Sequence, residues 1–150
     1  MSAIRLLAMF AAAATLAVPT IAAAPDTIKA RQDNFKAMGR SMKLIGVELK
    51  KETPAFVAIR REAAALEKAG ARVARFFPKG TGPEAGVKTA ALPAIWQKPP
   101  EFTTAAAGLN RATKGLRTAA AGTDVAKIRA AMGATVGACK ACHEKFRRDD

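Results

Sequence analysis

Two cysteines and one histidine are all the thiol and imidazole this 150-residue chain contains, and they fall within five consecutive residues, Cys139-Lys140-Ala141-Cys142-His143. The C-x-x-C-H order is the attachment pattern of haem c: two thiolates add to the vinyl groups and the imidazole that follows takes the iron. The spacing suits a helix, because positions three and four apart share a face and bring Cys139, Cys142 and His143 side by side. Two rival chemistries use similar residues. A thioredoxin-like redox pair needs a strand before its C-x-x-C and a helix after it, whereas this pair lies near the end of a helical segment. A structural zinc site usually takes four Cys or His ligands, and only three candidates exist here. A helical metal-binding or thiol-exchange protein with both thiols free stays open as the alternative from another class; the mass of a covalent haem separates the two. Two cysteines exclude a disulfide scaffold.

The elements that must position this motif are helical. Half of the residues are hydrophobic, much of that half is alanine, and only 5% of residues are aromatic, with no tyrosine. Alanine is the best helix former, and the β-branched and aromatic residues that favour strands are sparse. The length suits one domain. Its first residues read as an exported leader over 1–23: Arg5, an apolar run over 6–18, Pro19, then small residues at Ala22, Ala23 and Ala24 for cleavage after Ala23. A retained anchor over 6–25 is the competing reading, against which stand Pro19 and the weak hydrophobicity of alanine. The formal charge is +13, and removal of Arg5 leaves +12 on residues 24–150. In an exported protein that surplus points to acidic proteins or anionic lipid surfaces rather than nucleic acid.

The spacing predicts four helices. The first starts at Asp26 or Thr27 and runs to about Lys50, with a seam of Ile28, Arg31, Phe35, Met38, Met42, Ile45 and Leu49 in alternating steps of three and four. Thr53 and Pro54 open the second, whose seam runs from Phe56 through Ile59, Ala63, Leu66, Gly70 and Val73 to Phe77 before Pro78 stops it. Residues 78–100 form a long Gly- and Pro-rich loop, and such loops in compact domains usually carry function. The third helix runs from about Pro100 to Ala121. The fourth is capped by Thr123 and carries Val125, Ile128, Met132, Thr135, Cys139, Cys142 and Phe146 on its seam. No segment alternates with period two. The fold predicted is all-α, an antiparallel four-helix bundle over residues 24–150 with haem c attached near the C-terminus of the last helix. A haem needs apolar walls, for which Phe77 and Phe102 are candidates. Arg31 is the polar exception on its seam, and a buried charge there wants an anionic partner; a side chain snorkelling to solvent is the other possibility.

Together these features resemble class II c-type cytochromes, most closely the cytochrome c′ family, over essentially the whole chain after the leader. The resemblance rests on C-x-x-C-H close to the C-terminus, on Arg31-Gln32-x-x-Phe35-x-x-Met38 in the first helix, on Ile95-Trp96 with Phe102, and on Arg147 beyond the motif. It implies that His143 is the axial ligand, that Arg31 pairs with a haem propionate, and that Gln32 touches the haem. It places Arg147 close to the proximal side of the iron; a solvated arginine that favours the helix dipole is the alternative. Lys88 and Thr89 lie near where family members contact the haem. In six-coordinate members of the class a methionine stands where Phe35 stands here. Phenylalanine has no lone pair to donate, so the expected iron is five-coordinate, with Phe35 over its other face and Met38 packed against the ring. A six-coordinate carrier using Met38 or Met42 is the runner-up.

The function expected is that of a periplasmic haem protein acting in one-electron transfer to acidic redox partners, in binding small diatomic gases such as nitric oxide, or both. A homodimer through the first two helices is a further implication of the resemblance. There is no second histidine and no paired-carboxylate motif in helical register, so no enzyme activity is expected.

Overall fold

Alanine-rich amphipathic stretches become helices that must bury one face, and here four long helices bury theirs against one another. The structure, a computed structural model, describes residues 24–148; the expected leader over 1–23 lies outside the described residues. Its helices are α1 (Ala24–Glu48), α2 (Phe56–Gly70), the single turn α3 (Ala94–Gln97), α4 (Pro99–Ala119) and α5 (Val125–Phe146). The described residues hold no strand, only an isolated antiparallel bridge between Ala91 and Arg147. The all-α four-helix bundle predicted from periodicity is the fold observed.

Packing around the bundle is uneven. α1 lies along α2, α2 along α4, and α4 along α5, while α1 and α5 make no comparable helix-to-helix packing. The ring of helices is therefore open on the side between the first helix and the one that carries C-x-x-C-H. The main core is built from Met38, Ile45, Ile59, Leu66, Leu109, Leu116 and Ile128, all buried. Burying each such side chain is worth about 1.5–3 kcal/mol. A second cluster of Ile95, Phe102 and Phe146 lies where the 71–98 connection meets α4 and the end of α5.

Several boundaries differ from the sequence pattern. α2 stops at Gly70 rather than Phe77; Arg72 N bonds Ala69 O (3.2 Å) and Arg75 N bonds Arg72 O (3.0 Å), so the chain tightens into a 3-10 turn over Val73–Phe76. Val73 stays buried across the change, which is why the seam reads as unbroken. Thr53 does not cap α2. The cap position is Ala55, whose N–H is taken by the Glu48 carboxylate from the end of α1 at 3.0 Å. α5 is capped by Asp124, which accepts from Lys127 N at 3.0 Å, and not by Thr123. The buried face of α1 is also rotated. Asn34 and Ser41 are buried against α2, and Phe35 and Met42 sit half-buried at its edge.

Gly70 of α2 packs closely against Thr113 of α4. A Cβ there would lie 3.0 Å from Thr113 Oγ1 and 3.3 Å from Thr113 Cγ2. Gly115, on the exposed side of α4, has nothing within 4 Å of that position. Gly70→Val is expected to force the two helices apart and cost about 1–3 kcal/mol, and Gly115→Ala to gain up to about 1 kcal/mol. Thermal melts of the two holoproteins check both signs.

Candidate haem-binding site

The motif sits in the last two turns of α5, and its two sulfurs face different parts of the interior. Cys139 packs against the main core and Cys142 against the Ile95–Phe102–Phe146 cluster. Both thiols are free and half-buried. Burial pushes both above the ordinary thiol range, and the neighbouring Cys139 raises Cys142 further. They are therefore protonated at neutral pH and poor nucleophiles unaided, unlike the activated thiols of exchange proteins. His143 is held below the usual histidine range by partial burial and by the Arg147 guanidinium. Its imidazole is thus neutral at pH 7, with a lone pair free for a metal.

Two hollows flank α5. One, of about 430 Å³, lies between α4 and α5 and is lined by Ala105, Gly108, Ala138, Ala141 and Cys142 among others. The second, of about 550 Å³, holds Cys139, His143 and Arg147 with Val136, Lys140 and Glu144, all from or just beyond α5. No α4 residue lines it. Arg147 has left the helix: it is the C-cap in extended backbone (φ −124°, ψ 135°), and its N–H still bonds His143 O at 3.0 Å. Arg147 thus lies just past the helix and remains beside His143.

The opening between α1 and α5 is bridged at both ends. At one end Arg129 donates to Leu49 O at 2.6 Å. At the other, the loop ties to α1 through Arg31 and Gln32 and to the end of α5 through Leu92 N to Phe146 O (3.0 Å) and Arg148 N to Ala90 O (2.8 Å). An aromatic row crosses the same end. Phe35 meets Phe77 edge-on at 6.4 Å, Phe77 meets Phe102 at 4.8 Å, and Phe102 meets Phe146 at 5.4 Å. Trp96 stands 6.1 Å from Phe77 and donates its N–H to the Phe77 and Pro78 carbonyls.

Arg31 is 3% exposed. Its guanidinium donates to Phe76 O (3.3 Å), Thr81 Oγ1 (3.4 Å), Thr81 O (3.0 Å) and Thr89 Oγ1 (2.8 Å), and lies 4.6 Å from the centre of the Phe77 ring. These acceptors are all neutral. Burial pulls the guanidinium below its ordinary range, and the more distant Glu84 opposes that. A buried cation with hydrogen bonds but no carboxylate bonded to it suits an incoming anion. Gln32 donates to Lys88 O at 2.9 Å beside it. Met38 is buried in the main core, with its sulfur 3.7 Å from the Asn34 amide nitrogen.

These residues fit a covalent haem. Two thiols and an imidazole share one helix end, an aromatic wall spans from α1 to α5, and a buried cation lies at the same end of the bundle. No group of three or more His, Cys, Asp or Glu among the described residues is placed to hold an ion. No described helix is long and apolar enough to cross a membrane. Sequence reasoning missed Thr81 and the Phe76 carbonyl. Neither has a sequence signal, since backbone acceptors and loop hydroxyls look alike in any loop.

Comparison with known proteins agrees with this geometry. The family model described as Cytochrome C′ matches residues 26–147. Cytochrome c-554 of Cereibacter sphaeroides is 36% identical over 115 residues, covering 75% of this chain and 74% of that protein. The crystal structure of cytochrome c′ from Rubrivivax gelatinosus superposes with a TM-score of 0.78 at 28% identity, over 86% of this chain and 100% of that one. A nitric oxide complex of a cytochrome c prime variant from Alcaligenes xylosoxidans gives 0.76 at 26% identity, over 85% and 98%. Spanning the bundle from its first helix to the residue beyond its C-x-x-C-H motif, the match shows that this chain belongs to the cytochrome c′ family.

Proposed function

We propose that this cytochrome c′-family protein is a periplasmic, five-coordinate haem protein that binds small diatomic gases and exchanges single electrons. Covalently attached haem c supplies an iron that takes up one electron or one gas molecule. Cys139 and Cys142 anchor the group, and His143 contributes the one protein ligand. The observation that carries the reading is Phe35, which has no donor atom and stands half-buried against Phe77, at one end of the aromatic row whose other end, Phe146, lies on α5 beside the motif. The buried Arg31 is the propionate partner, with Gln32 beside it, and Phe77 and Phe102 form the apolar wall. Arg147 keeps a positive charge near His143. The nitric oxide complex of the Alcaligenes relative supports gas binding as the class of chemistry. The leader and the +12 balance of the remaining chain support export and acidic redox partners.

Because Phe35 has to move aside for a ligand, nitric oxide is expected to bind and carbon monoxide to bind weakly. Ferric absorption and paramagnetic resonance spectra are expected to be high-spin. A low-spin ferric spectrum with a sulfur-to-iron band would overturn the five-coordinate reading, and tight, fast carbon monoxide binding would overturn the hindered pocket.

Arg31→Met removes a buried positive charge and four donated hydrogen bonds. It is expected to lower the reduction potential, since a cation nearby favours the electron-rich state, and to cost about 2–4 kcal/mol of stability. Potentiometric titration and thermal melting read the two effects separately.

Leu44 (48% exposed) and Val47 (45%) on α1 and Val57 (74%) on α2 are large apolar side chains left in solvent. They support the homodimer through the first two helices. Sedimentation is expected to give a dimer that Leu44→Lys with Val57→Lys converts to monomer, and a monomeric unsubstituted protein would remove this part of the proposal.

A further inference from the structure

Asn34 stands one helical turn before Met38 on α1 and is 6% exposed. Every polar group of its carboxamide has a partner. Nδ2 donates to Ala69 O of α2 at 3.2 Å and to the Met38 sulfur at 3.7 Å, and Oδ1 accepts from the Arg72 guanidinium at 3.2 Å. The chemistry of those partners allows one orientation. Turned over, the amide would set its oxygen against the Ala69 carbonyl and its N–H against a guanidinium, both repulsive. With the carbonyl fixed by Arg72 and one N–H by Ala69, the second N–H has to point at Met38. A methionine side chain has three rotatable bonds and ordinarily adapts to whatever space is near it. This one is tethered: the residue is 5% exposed, and its sulfur is held by the Asn34 amide that also bonds Ala69 O of α2.

Phe35, three residues earlier than Met38 and so its neighbour on the helix surface, meets Phe77 edge-on. The first helix thus shows a ring without a donor atom toward the aromatic row and holds a donor sulfur next to it on the Asn34 tether. Phe35 alone does not account for five-coordination, because Met38 is on the same seam and long enough to swing. We propose that Asn34 is a positioning residue that sets the coordination number of the haem iron, by holding the Met38 thioether against α2 so that no sulfur ligand reaches the face Phe35 covers. The proposal rests on the five-coordinate reading and adds to it a second, separable cause.

The test is the ferric holoprotein with Asn34→Leu, a side chain of similar size without donors, compared with the unsubstituted protein and with Asn34→Leu/Met38→Leu. Asn34→Leu is expected to raise the low-spin share at least about fivefold, the shift that loss of one ordinary hydrogen bond supports, and to bring in a sulfur-to-iron band. The double substitution is expected to abolish both. An Asn34→Leu protein as high-spin as the unsubstituted one overturns the proposal, as does a low-spin signal that survives in the double variant. A low-spin unsubstituted protein with the sulfur band instead overturns the five-coordinate reading, so the two failures look different. A second measurement needs no variant. In the diamagnetic ferrous, carbon monoxide-saturated holoprotein with methyl-labelled methionine, the Met38 methyl is expected to show nuclear Overhauser contacts to the Asn34 side-chain amide protons; their absence overturns the tether.

Discussion

A charge held away from water organises the end of the bundle where the chemistry lies. The Arg31 guanidinium gives up its hydration for four neutral oxygens and the face of Phe77. Three of those oxygens belong to Thr81 and Thr89, far along the chain from α1, so the loop is pulled onto the first helix. Thr89 then passes the connection on. Its hydroxyl accepts from Arg31 at 2.8 Å, and its carbonyl accepts from Arg148 at 3.3 Å, beyond the end of α5. One cation thereby links the two helices that do not pack on each other. Hydrogen bonds without a neutralising anion leave part of the desolvation cost of the charge unmet. A carboxylate-bearing cofactor at this end of the bundle would meet it.

The opening between α1 and α5 is what a planar group of this size requires. Had the fourth side closed by packing as the other three do, α5 and α1 would lie against each other and leave no room between them. Small and polar positions on α1 help keep it oriented toward α2: Asn34 bonds Ala69 O, and Ser41 bonds Glu62 at 2.9 Å. Tight approach of α2 to α4 at Gly70 and Thr113 contributes to the same asymmetry. Cohesion is concentrated on three sides, and the fourth is left to side chains and the loop.

The sequence by itself determined the all-helical class, most of the helix faces and the identity of the attachment motif, while the buried face of α1 turned toward Asn34 and Ser41. Those are set by short-range rules: the 3.6-residue period makes positions 139, 142 and 143 neighbours whatever surrounds them, and an alanine-rich heptad pattern has few other solutions. The end of α2, the caps at Ala55 and Asp124, and the course of Arg147 out of the helix were less legible, because each depends on which competing hydrogen bond wins locally. Only the tertiary structure decided what Arg31, Asn34 and Met38 do. A seam residue can turn to either flank of its helix, and the choice is made by partners up to 58 residues away, such as Thr89, Ala69 and Arg72. Side-chain direction depends on contacts between distant segments, and no spacing in the chain encodes them.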